Sequence, residues 1–164
     1  ADVTVVDISA TMLKKLQAGF DRHPGNLRVR VVHADILKFE EFNTYDMVIA
    51  NFFLNVFYPD FMRRLLTHLV KCVRPGGAFV IGDFTYPTGS RLRRGLLNAY
   101  WYTAAVIFYF ASDNAVHPVY PYADLMREEG LEIVDTRRYF YLGMDFYTSV
   151  MGRKPLSAPP SGGA

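Results

Sequence analysis

Four short β-branched or apolar runs recur along the first half of the chain, and each closes on a polar residue. They are Val3-Thr4-Val5-Val6 before Asp7, Leu27 to Val32 before His33, Tyr45 to Ala50 before Asn51, and Ala78 to Asp83 before Phe84. Between the first two runs, Met12, Leu13, Leu16 and Phe20 recur at helical spacing, and Asp7-Ile8-Ser9 offers an N-cap. Between the last two, Phe61, Leu65, Leu66, Leu69, Val70 and Val73 form an apolar stripe opposed by Arg63, Arg64, Thr67, His68, Lys71 and Arg74. Strand, helix and strand in this alternation force parallel pairing, because parallel strands need a long crossover and such crossovers are right-handed. The expected fold is therefore α/β, a doubly wound sheet that is mostly parallel.

Turn chemistry supports these boundaries. Pro24-Gly25-Asn26 ends the first helix, and Pro75-Gly76-Gly77 is expected to stop the second and lead into the fourth strand. Further on, Arg91 to Ala111 is a helical candidate and Pro121 to Gly130 contains a short helix. Leu131 to Tyr141 and Asp145 to Gly152 read as an antiparallel pair at a sheet edge. The final stretch, Pro155 to Ala164, is Pro, Ser, Gly and Ala and is expected to be a disordered tail. The 164 residues, half of them apolar, provide one core, so residues 1–154 are expected to form one domain.

Charge and cysteine content narrow the function classes. The basic and acidic residues nearly balance at a formal charge of +2 and are interspersed, which gives no polyanion-binding face; nucleic acid is not an expected partner. Cys72 is the single cysteine and lies on the helical stripe, where it reads as a small buried hydrophobe. A reducing, cytoplasmic setting follows as the default. His23, His33, His68 and His117 lack metal-ligand spacing, so no metal site is expected. No tyrosine has a lysine four positions on, which argues against a short-chain reductase, and the Gly-x-Ser-x-Gly elbow of hydrolases is absent.

In an open α/β sheet, ligands bind beyond the carboxyl ends of the strands. Asp7, Asp35, Asn51 with Phe52, and Asp83 occupy those places. A carboxylate at Asp7 can accept from both hydroxyls of a ribose, or it can cap the helix that follows; the residues leave both uses open. Asp35 can accept from an exocyclic amine.

Four strings, VTVVDISATMLKKL, VRVVHADI, YDMVIANFFLNVF and VKCVRPGGAFVIGDF, stand in this order with ordinary spacings. On them the chain resembles the class I S-adenosylmethionine-dependent methyltransferases, in particular the small-molecule branch that includes ubiquinone and menaquinone methyltransferases. The resemblance is close over residues 3 to 85 and looser to about residue 154. It implies a Rossmann-like methyltransferase sheet with an antiparallel edge strand and S-adenosylmethionine as cofactor, leaving S-adenosylhomocysteine as product. By matching position, it also implies that Asp7 holds the cofactor ribose and that Ile8 and Met12 lie beside the adenine. Asp35 and Ile36 would contact the adenine amine and ring face, and Asn51 and Phe52 would pass beside the methionine part. The family's first strand and glycine-rich loop would precede Ala1, so the sheet is expected to lack that strand and to leave unpaired backbone and uncovered apolar surface. The alternative expectation is a non-catalytic truncated module or an inert fragment of a longer methyltransferase.

The expected activity is methyl transfer to a small lipophilic acceptor, a quinone precursor or a lipid. This rests on the aromatic stretch from Leu96 to Ala111 behind Arg91-Leu92-Arg93-Arg94, which suits an apolar pocket, a peripheral membrane contact or a plain core helix. Broken by Asn98, that stretch falls short of the ~20 residues that cross a bilayer. No catalytic residue is assigned. Tyr58, Tyr86, Asp83, His117 and Tyr122 are candidate bases, with a structural role favoured for each. The sequence leaves the oligomeric state open.

Overall fold

The computed structural model describes residues 1–22, 25–86, 90–112, 119–141 and 144–156. Its order is β1 (Asp2–Asp7), α1 (Ala10–Arg22), β2 (Arg28–His33), β3 (Tyr45–Asn51), α2 (Pro59–Cys72), β4 (Val73–Phe84), α3 (Arg91–Ser112), α4 (Tyr122–Glu128), β5 (Glu132–Tyr141) and β6 (Met144–Arg153). The chain divides into two compact units, Ala1–Glu41 and Phe42–Ala164.

In the first unit, β1 and β2 form a parallel pair in which Val3 faces Val29, Val5 faces Val31 and Asp7 faces His33. Helix α1 is the crossover. Of Asp7-Ile8-Ser9, it is Ser9 that caps it: its hydroxyl accepts from Met12 N–H at 3.3 Å and its carbonyl accepts from Leu13 N–H. Leu13 is the buried residue of the helix; Met12, placed on the same apolar stripe by its spacing, is exposed.

The second unit holds a four-stranded sheet in the order β3-β4-β6-β5. β3 and β4 are parallel, whereas β6 runs antiparallel to both β4 and β5. The expected antiparallel pair is present, with β5 at the edge and β6 inside. Strand β4 has partners on both sides, and its alternation is visible in Phe79, Ile81 and Asp83, all at most 1% exposed. Against this sheet unit α2 buries Met62, Leu65, Leu66, Leu69, Val70 and Cys72. At the opposite edge, β3 exposes Met47 and Ile49.

Three local readings need correction. Phe61 is outside the buried stripe of α2 and Met62 is within it; the Phe61 ring instead packs on Phe57 at 5.2 Å and lies under the Arg64 guanidinium. Helix α2 ends at Cys72, before the Pro75-Gly76-Gly77 turn, and β4 begins at Val73. Val73 is already extended and fully buried opposite Tyr45, and Arg74 is biased to extended backbone by the proline after it. The Pro-Gly-Gly segment then bulges within β4: Tyr45 pairs with Val73 but Met47 with Ala78. A Cβ on Gly77 would meet the carbonyl oxygens of Asp46 and Arg74 at 2.9 Å, so only glycine fits this bulge. Finally, α3 runs unbroken through Asn98. An interior asparagine costs less than about 0.7 kcal/mol relative to alanine, and the burial of Leu97 and Trp101 on either side offsets it.

The far end of the sheet is fastened by one amine. Lys154 Nζ donates to Val73 O at 2.8 Å, Val70 O at 3.2 Å and Asn43 Oδ1 at 3.0 Å, tying the residue after β6 to the end of α2. Partial burial lowers its pKa. No helix among the described residues is long and apolar enough to cross a membrane. Removing buried volume under the sheet is expected to be severe: Leu66→Ala, at a side chain 1% exposed, should lose about 2–5 kcal/mol in urea unfolding monitored by circular dichroism.

Candidate functional site

In the first unit, five of the sequence-predicted residues gather at the carboxyl ends of β1 and β2. Asp7 closes β1, half-buried, and its Oδ1 accepts from Ser9 N–H at 2.7 Å. The carboxylate therefore shapes the turn, while Ser9 supplies the helix cap. Ile8, next in the chain, and Met12, in the first turns of α1, are exposed at 71% and 55%. Across the ladder His33 Nε2 lies 2.9 Å from Ile8 O, holding the two strand ends together. Asp35 caps the short 3-10 turn Ile36–Lys38 through Leu37 N–H at 3.0 Å. Each aspartate thus spends Oδ1 on the backbone; its Oδ2 makes no hydrogen bond among the described residues and remains an acceptor. A shallow depression lined by Asp2, Val3, Thr4, Arg28, Val29 and Arg30 lies at the other end of these strands, away from Asp7 and Asp35.

In the second unit, Asn51 ends β3 and Phe52 follows in the left-handed region, with φ 47°. A phenylalanine there is strained. Two contacts hold it. Phe52 N–H donates to Gly82 O at 2.8 Å, and the Asn51 side chain lies over Gly82, where a Cβ would come within 2.5 Å of Asn51 Oδ1. The Gly82 position is the signal that reading by type could have used, since a glycine inside a strand marks a close approach.

Next in β4, the Asp83 carboxylate is 1% exposed. Tyr122, at the start of α4, donates its hydroxyl to Asp83 Oδ2 at 2.6 Å, and Phe84 N–H donates to Oδ1 at 2.7 Å. Two of the five candidate bases are thus one buried pair, which their separation in sequence hides. Burial raises the Asp83 pKa to about 6 against the opposing pull of its two hydrogen bonds. The same burial, with the neighbouring carboxylate, raises Tyr122 well above its ordinary value and Tyr120 to about 12. Tyr120 donates to Phe57 O at 2.7 Å, and the buried Thr85 hydroxyl has no partner among the described residues. Of the remaining candidates, Tyr58 and Tyr86 are exposed, and His117 lies outside the described residues.

The sequence reading missed an aromatic cluster beside this end of the sheet. Phe52, Phe84 and Tyr147 pack pairwise at 5.5–5.7 Å, with Trp101 from α3 on Phe84 at 4.7 Å. Tyr100 of α3 packs on Phe146 at 4.5 Å, and its hydroxyl bonds to that of Tyr147; burial and this bond raise its pKa. Among the described residues, no group of three or more His, Cys, Asp or Glu is placed to hold a metal ion.

The Asp83 shift fixes a pH dependence. A carboxyl group whose pKa is higher folded than unfolded stabilises the fold below the unfolded value of 3.8 and loses that contribution as pH rises through about 6. The loss approaches about 3 kcal/mol by pH 8. Asp83→Asn keeps a neutral acceptor for Tyr122, so thermal unfolding should show wild type losing stability relative to the variant between pH 4 and 7. Parallel curves across that range would show that Asp83 does not titrate there.

Residues 1–77 match the model of a methyltransferase domain family. Carboxy-S-adenosyl-L-methionine synthase of Yersinia pestis (strain Pestoides F) is 35% identical over 81 residues, which are 49% of this chain and 30% of that protein. The chain therefore spans about a third of the length of this curated relative. An O-methyltransferase family protein of Burkholderia thailandensis has a similar structure, with TM-score 0.69 and 24% identity over 93% of this chain and 43% of that one. The 1,6-didemethyltoxoflavin-N1-methyltransferase of the same organism, solved with its substrate and S-adenosylhomocysteine, gives TM-score 0.65 and 20% identity over 93% of this chain and 61% of that one. Residues 1–77 thus resemble a methyltransferase domain family in sequence, and over nearly its whole length the chain has the class I methyltransferase fold.

Proposed function

We propose that this chain contributes the cofactor-binding and acceptor-binding parts of a methyltransferase acting on a small, apolar acceptor. The observation that carries the reading is the carboxyl end of β1. There a half-buried carboxylate keeps one oxygen uncommitted, and two apolar side chains, Ile8 and Met12, are left in solvent. That donor set fits a nucleoside: Asp7 Oδ2 accepts from the ribose hydroxyls, Ile8 and Met12 cover an adenine face, and Asp35 Oδ2 accepts from its amine with Ile36 alongside. The toxoflavin-precursor enzyme of similar fold carries S-adenosylhomocysteine, which supports the choice of cofactor.

S-adenosylmethionine, when bound, supplies an electrophilic methyl group for in-line displacement. What this chain does is hold and orient, and keeping acceptor and methyl aligned is the principal source of acceleration for such a displacement. An acceptor that must lose a proton needs a base. Asp83 is ionised above about pH 6, and Tyr122 commits its one hydroxyl proton to that buried carboxylate, so the pair is a structural contact and the chain's described residues offer no assigned base. The apolar character assigned to the acceptor follows from α3, which exposes Leu92, Leu96, Tyr100, Tyr102 and Val106. The same exposed face behind Arg91, Arg93 and Arg94 supports a peripheral membrane contact as a second use.

Calorimetric titration with S-adenosylhomocysteine tests the cofactor assignment. Wild type should bind, and Asp7→Ala should lose about 1.5–3 kcal/mol of affinity, the usual value of hydrogen bonds to a charged acceptor. Equal affinities would remove Asp7 from the site, and no heat from folded protein would favour a non-catalytic module.

A further inference from the structure

We infer that the rings of Phe52, Phe84, Trp101 and Tyr147 form a stacking platform for a flat, hydroxylated aromatic acceptor. The inference rests on the methyl-transfer reading and names the substrate class for it. Three observations lead there. Side chains from four separate elements meet: the end of β3, the end of β4, helix α3 and strand β6. Phe84 and Tyr147 are paired neighbours across β4 and β6, so they share one face of the sheet. The cluster is also built at a cost, since Phe52 is held at a backbone conformation that a phenylalanine avoids.

The rings are graded from buried to exposed. Trp101 is buried and braces Phe84, whereas Phe52 is half exposed and Tyr147 is open as well. An apolar core would hide the outer rings. A binding surface presents them, and a rigid aromatic side chain loses little conformational freedom on contact. The exposed members, Phe52 and Tyr147, are both aromatic, which favours another ring system over an alkyl chain, because offset and edge-to-face contacts add to area burial only between rings. A polar rim completes the specification. The Tyr100 and Tyr147 hydroxyls bond to each other at the margin, where they can donate to or accept from an oxygen on the ligand. A phenol or hydroxylated heteroaromatic satisfies both parts; a lipid tail satisfies neither.

The chain has one tryptophan, so Trp101 gives a single indole N–H resonance beneath the platform. The probe is 2-naphthol, titrated into the full chain with that resonance followed, beside naphthalene and n-decanol. A saturable shift is expected with 2-naphthol, weakened about 10-fold in Tyr147→Ala, in line with the usual worth of stacking one base on one ring. Tyr147→Phe should weaken 2-naphthol by about 3-fold and leave naphthalene unchanged, which separates the hydroxyl from the ring. Phe42→Ala, at an exposed ring that packs on His68 ahead of β3, should bind like wild type. If n-decanol shifts the resonance as 2-naphthol does, or if Tyr147→Ala binds undiminished with a folded spectrum, the platform is refuted. Titration of the same samples with S-adenosylhomocysteine keeps the two readings apart: loss of cofactor binding with 2-naphthol retained overturns the methyl-transfer reading alone, and the reverse overturns the platform alone.

Discussion

Strand β4 bears hydrogen-bonded partners on both sides, parallel β3 and antiparallel β6, and the features of the second unit are placed by that double pairing. The pairing fixes the pleat, and the pleat sends Phe79, Ile81 and Asp83 to one face and Phe84 to the other. A one-residue slip would exchange them, bringing a carboxylate to the aromatic cluster and a ring to Tyr122. The bulge at Pro75 to Gly77 absorbs the mismatch in length between β3 and β4 near the start of the ladder, so the register is regular from Met47 onward to Asn51.

At the far end of that ladder, close approach replaces regular pairing. Gly82 has no side chain, so Asn51 can lie across it and Phe52 can turn back to bond its carbonyl. The left-handed backbone at Phe52 follows from these contacts, and strain of this kind persists only where the surroundings over-determine it. The buried Asp83 is a second tension, charge against desolvation, relieved in part by a phenol and an amide. Both tensions lie at the carboxyl end of the strands, where α/β folds place ligands.

The two units differ in what their site residues contribute. In the first, the functional candidates are local: Asp7 and Ser9, Asp35 and Leu37 are neighbours in sequence, and the turns they make depend on side chains reaching backbone two residues on. Such patterns are legible from residue type alone. In the second, Asp83 meets Tyr122, Tyr120 meets Phe57, and Phe84 meets both Trp101 and Tyr147, all across long stretches of chain. Reading by type therefore named Asp83 and Tyr122 as separate candidates and did not name Tyr147. Its errors at Phe61, at the end of α2 and at Asn98 have a similar origin, because burial and pairing override a one-residue choice in periodicity or propensity.

By itself, the sequence determined the alternation of strands and helices, the parallel pairing it requires, and the identity of the polar residues at the strand ends. These follow from local periodicity and turn chemistry, which act over a few residues. Only the tertiary structure decided which strand has two partners, where the Pro-Gly-Gly segment lies in the ladder, which carboxylate is buried, and that rings from four elements converge. Those outcomes depend on contacts between residues far apart in the chain, whose free energy appears only when the sheet has formed.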